Sequence, residues 1–149
     1  FYDVASVTTT NFTQGMLGYD TNPNYNADGS RIAWLSMEHD GYEADKNSLM
    51  LYDFNTKSKY ILTKDWDESV AQIRWSNDGT KIYFIADKNG SDELFELNLS
   101  NYFLKKNPVR QITNGIWDIS SMIGQSENNM IVTRTDMNHA AEIFSVDLT

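Results

Sequence analysis

The chain has no cysteine. A disulfide framework, a thiolate nucleophile and a zinc-thiolate site are therefore excluded, and the redox compartment is left open. Proline is scarce, at two residues. No run approaches the ~18 apolar residues that a membrane span needs, and the N-terminus has neither the charged flank nor the apolar stretch of a signal peptide. Basic residues are in deficit, 12 against 21 acidic, for a formal charge of −9. With no lysine or arginine run to offset that excess, a nucleic-acid partner or an anionic membrane surface is disfavoured. There is no initiator methionine either: the chain opens on Phe1-Tyr2-Asp3-Val4 and reads as a piece of something longer. What is present is 13% aromatic and 22% charged, the composition of a folded soluble protein. Its 149 residues suffice for one domain with a real core.

The sequence repeats. "YNADGSRIAW" (25–34) and "WSNDGTKIYF" (75–84) set Asp28-Gly29 and Asp78-Gly79 fifty positions apart, each followed by an apolar run. A weaker copy, "IGQSENNMIVT", holds its turn at Asn128-Asn129. "FTQG", "LTKD" and "ITNG" place Thr13, Thr63 and Thr113 at steps of fifty, and Asp3, Asp53, Asn98 and Asp147 recur at steps of 50, 45 and 49. Three landmarks in one order define a repeat of nearly fifty residues.

Each landmark reads as strand or turn. Asp-Gly between short apolar runs is a hairpin signal, because glycine accepts positive φ and aspartate bonds back to the backbone. Runs such as Ile82-Tyr83-Phe84-Ile85 fit a pleated surface, and Asp53, Asn98 and Asp147 fall at strand ends, where a side chain can bond the next turn. No apolar period near 3.6 is sustained; only "SNYFLKKN" could make a helical turn. Four short antiparallel strands per unit is a propeller blade. The predicted fold is all-β, a partial β-propeller of about three blades arranged as an open arc. Residues 1–13 would be the end of one blade, 21–63 a full blade, 71–113 another, and 117–149 an incomplete one, thirteen strands in all. The exposed edges of such an arc invite self-association.

The stretches "ADGSRIAWLS…SLMLYDFNTKSKYILT" and "WSNDGTKIYFIADKNGSDELFELNL" resemble the TolB-like propeller repeat found in TolB-type proteins and in the propellers of prolyl oligopeptidase family serine peptidases. A narrower match, "GYDTNPNYNADGSRIAWLSMEHDGYEADKN" (18–47), is similar to bacterial dipeptidyl peptidases and acylaminoacyl-peptidase-like members. The resemblance implies a propeller covering a C-terminal α/β-hydrolase domain with a Ser-Asp-His triad, in a periplasmic or secreted enzyme that acts on short peptides. That domain is not in this chain. The one near miss to a nucleophile elbow, "GQSEN" at 124–128, lacks the second glycine and aligns with a blade turn. No catalytic residue, metal or cofactor is assigned, His39 and His139 are read as loop residues, and "DKNGSDE" (87–93) has its glycine misplaced for a calcium loop.

Strand alternation puts the connection between strands two and three on one face with the blade linkers, opposite the Asp-Gly turns. On that face fall "EHDGYEADK" (38–46), "KDWDES" (64–69) and "DKNGSDE" (87–93), with ten acids and three lysines. Such a field attracts cations, and the resemblance supplies one, a peptide α-ammonium. Glu38 or Glu43, with Tyr42 nearby, is the expected anchor or entrance-shaping set; the plainer reading is that these acids keep a water-facing loop soluble. A second function class, a TolB-like interaction scaffold holding a protein partner, stays open beside the peptidase segment.

Overall fold

The structure, a computed structural model, describes residues 1–149. It contains thirteen strands in four separate antiparallel sheets. A first blade is represented by β1 (Tyr2–Asp3) and β2 (Thr8–Thr9). The second is the meander β3 (Asp20–Tyr25), β4 (Arg31–Ser36), β5 (Ser48–Asp53), β6 (Ser58–Ile61). The third is β7 (Val70–Trp75), β8 (Lys81–Lys88), β9 (Ser91–Asn98), β10 (Val109–Gln111), and the fourth is β11 (Asp118–Ser126), β12 (Asn129–Asp136), β13 (His139–Asp147). No sheet closes on another, so the molecule is an open propeller arc. The helix, α1 (Leu99–Phe103), is a single short turn capped by Asn98, whose side chain accepts from Asn101 N.

The blades stack face to face, which explains why the middle strands lack simple polar–apolar alternation. On β8, Ile82, Phe84 and Ala86 enter a core shared with the second blade, while Tyr83 and Ile85 enter a core shared with the fourth. A strand covered on both faces reads as a continuous apolar run. Phe84 and Phe95, both almost fully buried, stack at 5.4 Å, and Trp66 from the linker before β7 meets them edge-on at 5.9 and 5.1 Å. Trp66 is thus a packing residue between blades, although its Nε1 finds no acceptor.

The inner strands form the hub. Trp75 Nε1 donates to Asn24 O at 2.9 Å, Arg74 to Met122 O at 3.2 Å and Gln72 Nε2 to Ser120 O at 3.1 Å, so β3, β7 and β11 are tied side by side across three blades.

Turn chemistry repeats with the sequence. Gly29 (φ 72°) and Gly79 (φ 68°) close equivalent hairpins, and Asp28 and Asp78 accept from the N–H two residues on, at 2.8 and 3.0 Å. Both turns line one groove at the same end of the molecule. Asp3, Asp53 and Asp147 each bond the following turn backbone. The third-copy hairpin turns at Glu127-Asn128, one residue before the expected pair: Asn129 already pairs with Ser126, and Glu127 takes the positive φ, 51°.

Candidate functional site

The widest connection on the linker face joins β4 to β5, residues 37–47. Asp45 organises it. Its carboxylate accepts from the N–H groups of Glu38 and His39, each at 2.8 Å, and lies 3.1 Å from His39 Nδ1. Those backbone donors, His39 first, hold the Asp45 carboxyl below its ordinary value. Gly41 at φ 67° turns the chain back, and the Tyr42 carbonyl accepts from Asp45 N at 3.0 Å. The base is fixed to the next blade, with Asn47 O accepting from Val70 N at 3.0 Å and Lys46 Nζ donating to the Trp66 carbonyl.

Glu38, Tyr42 and Glu43 all stand exposed on this loop. Tyr42 packs edge-on to His39, with ring centroids 6.5 Å apart, and neither glutamate side chain has a hydrogen-bond or ion-pair partner. The three are therefore brought onto one pinned loop with their polar groups free. Trp66 O, the Lys88–Glu68 pair at 3.3 Å and the Asp92 N–H bonded to Asp118 at 2.9 Å knit the loops and linkers of the second, third and fourth blades along this face.

The acidic face is smaller than the sequence implies. "DKNGSDE" is not a loop: β8 runs to Lys88 and β9 starts at Ser91, so only Asn89 (φ 57°) and Gly90 (φ 84°) form the turn. Asn-Gly with two positive φ values matches strand twist and needs no further residues. Glu93 consequently lies inside β9, 1% exposed, accepting from Thr113 Oγ1 and, at 2.7 Å, from Gly115 N. Asp87 and Asp92 are directly opposed across the hairpin; burial, then Asp118 and Asp87, raise the Asp92 carboxyl above its ordinary value. His139, read as a loop residue, opens β13 and is held by Asp136 at 2.8 Å.

A role that sequence reading missed belongs to the repeated threonines. Thr63 Oγ1 accepts from Leu49 N and Thr113 Oγ1 from Leu94 N, each at 2.8 Å and buried. The hydroxyl replaces a backbone carbonyl where the outer strand peels away, and the fifty-residue spacing was the available signal.

This architecture is that of an open β-propeller segment of the kind shared by TolB and by peptidase propellers. In fold, the chain overlays 99% of itself on 24% of a dipeptidyl aminopeptidase IV-like protein of Bacteroides ovatus (TM-score 0.76, 18% identity). It also overlays 87% of itself on 30% of TolB from Acinetobacter baumannii (TM-score 0.61, 22% identity). In sequence, it is homologous to dipeptidyl-peptidase 5: 40% identical over 148 residues to that of Porphyromonas endodontalis (99% of this chain, 20% of the relative). Against that of Porphyromonas gingivalis it is 40% identical over 117 residues (78% and 16%). The chain thus spans a fifth or less of the length of these curated relatives. No protein-family model matches it.

Proposed function

We propose that this chain is the non-catalytic propeller segment of a periplasmic or secreted serine dipeptidyl peptidase or oligopeptidase. In this reading it gates and steers short peptides toward an α/β-hydrolase domain elsewhere in the polypeptide. The homology to dipeptidyl-peptidase 5 supports the class. The observation that carries the steering role is the Asp45-pinned loop, which leaves the carboxylates of Glu38 and Glu43 unpaired beside Tyr42. A peptide α-ammonium offers three donors and a positive charge, the chemical complement of two free carboxylates and a phenol oxygen.

The test is kinetic. In the full-length enzyme, Glu38→Gln or Glu43→Gln should raise KM for a free-amine dipeptide substrate about two- to fivefold with kcat unchanged, the size expected of an exposed charge contact. An N-acetylated substrate should be indifferent. Unaltered KM in both variants removes the anchor. The likeness to TolB supports a second reading, a scaffold for a protein partner; a full-length protein that hydrolyses no peptide and retains a partner on the loop face would favour it. Self-association would use the outermost strand β13, whose nine residues pair on one side alone; a monomer by sedimentation across concentrations refutes that part.

A further inference from the structure

The repeat is interrupted at one connection. In the second blade, β5 and β6 are joined by residues 54–57, whereas in the third blade β9 and β10 are joined by residues 99–108 with α1 among them. The added segment reaches its neighbour's outer strand. Tyr102 Oη donates to Ile61 O at 3.2 Å, and the Tyr60 ring meets those of Tyr102 and Phe103 at 6.3 and 5.2 Å. Together, β6, the following linker and the α1–β10 segment wall a groove of about 920 Å³ on the outer rim, half of its lining residues hydrophobic.

The charge in this groove runs against that of the chain. Four basic side chains form ion pairs with carboxylates: Arg31, Lys81, Lys88 and Arg110. Lys46, Lys59 and Arg74 donate hydrogen bonds, and Arg134 stacks on Trp117 and Phe144. That leaves Lys57, Lys64, Lys105 and Lys106 without a side-chain partner, and three of these four line the groove, against one carboxylate, Asp65. In a protein of net charge −9, three uncommitted ammonium groups around exposed aromatic surface make a local site of opposite sign. Phe103, in that lining, is 44% exposed.

We propose that this groove is a docking site for an acidic peptide segment carrying an aromatic side chain. Lys64, Lys105 and Lys106 take its carboxylates, and its ring packs edge-on against the Tyr60–Tyr102–Phe103 cluster, the geometry these rings already adopt with one another. The site lies on the outer rim, and the proposal stands whether or not the Glu38 loop binds substrate.

Fluorescence polarisation on the purified chain tests it, with a fluorescein-labelled peptide of glutamates around one tyrosine as the probe and a serine-for-glutamate peptide as control. The glutamate peptide should bind saturably at about 50 mM salt and weaken as screening increases. The double variant Lys105→Glu/Lys106→Glu should lower its affinity about tenfold or more. Both positions are exposed, and unchanged circular dichroism would confirm the fold. Phe103→Ala, which keeps the charges, should also weaken binding. No binding, equal binding of the serine peptide, or equal affinity in the double variant overturns the proposal. So does concentration-dependent dimerisation of the unlabelled chain that the double variant abolishes, since the groove's occupant would then be a second copy.

Discussion

Replacing Thr63 with valine tests how the blades end. Valine keeps the shape of threonine but removes the oxygen that accepts from Leu49 N at 2.8 Å. Leu49 is 0% exposed and Thr63 2%, so no water can take over, and the Leu62 N–H already occupies the Leu49 carbonyl on the other side of the residue. A buried N–H without an acceptor costs about 1–3 kcal/mol, which at roughly 2–4 °C per kcal/mol for a chain of this size lowers Tm by about 2–12 °C. Thr63→Ser keeps the oxygen and gives up one methyl, a loss near 0.8 kcal/mol. Differential scanning calorimetry of the two variants should therefore rank them wild type, serine, valine. Thr113→Val should cost more than Thr63→Val, because Thr113 Oγ1 also donates to the buried Glu93 carboxylate. Should valine at position 63 prove as stable as threonine, or serine prove worse than valine, the hydroxyl is not an essential rung of the ladder and methyl packing explains the repeated threonine.

Other consequences are simpler to check. Phe84→Ala removes a fully buried ring from the core between the second and third blades and should cost about 3–5 kcal/mol in urea unfolding. Asp92→Asn removes a carboxylate whose ionised form is disfavoured by burial and by Asp118 and Asp87. Relieving the like-charge cross-strand pair should stabilise the chain at neutral pH by roughly 0.5 kcal/mol, and the gain should vanish below the unfolded value near 3.8, where the carboxyl is protonated in both states. Asp53 has the opposite sign. Arg31 at 2.8 Å and the turn N–H groups of Thr56 and Asn55 hold its carboxyl below 3.8, so its contribution is present above that pH and is lost as pH falls through the lowered value. Acid-unfolding curves should then show a steeper loss below about pH 4 for wild type than for Asp53→Asn.

Some of this was written in the chain at short range. Asp28-Gly29 and Asp78-Gly79 specify their hairpins because turn geometry depends on the positive φ of one glycine and on an aspartate two residues before the backbone N–H it accepts from. Asp53 and Asn98 likewise act within three residues of themselves. Repetition of such local devices at steps near fifty was enough to count thirteen strands and to identify blades. The same local evidence misjudged residues 87–93, where the tight Asn89-Gly90 turn draws Asp87, Asp92 and Glu93 into strands; polarity alone does not say whether an acid faces water or a threonine hydroxyl.

What the sequence by itself determined is the wheel-like repeat and the face on which the 37–47 loop emerges; that Glu38, Tyr42 and Glu43 stand exposed on it is read from the structure. Only the tertiary structure decided which charges are spent. Glu93 is consumed by Thr113 and Gly115, Glu96 by Lys81 and Arg110, and Asp45 by the backbone of its own loop, while Lys64 and the adjacent Lys105 and Lys106, some forty residues further along the sequence, meet uncommitted around one groove. The reason is physical. Turn propensity is a property of a few adjacent bonds, whereas the pairing of a charge depends on every chain segment within a few ångströms, and the stacking of one blade on the next brings those segments together.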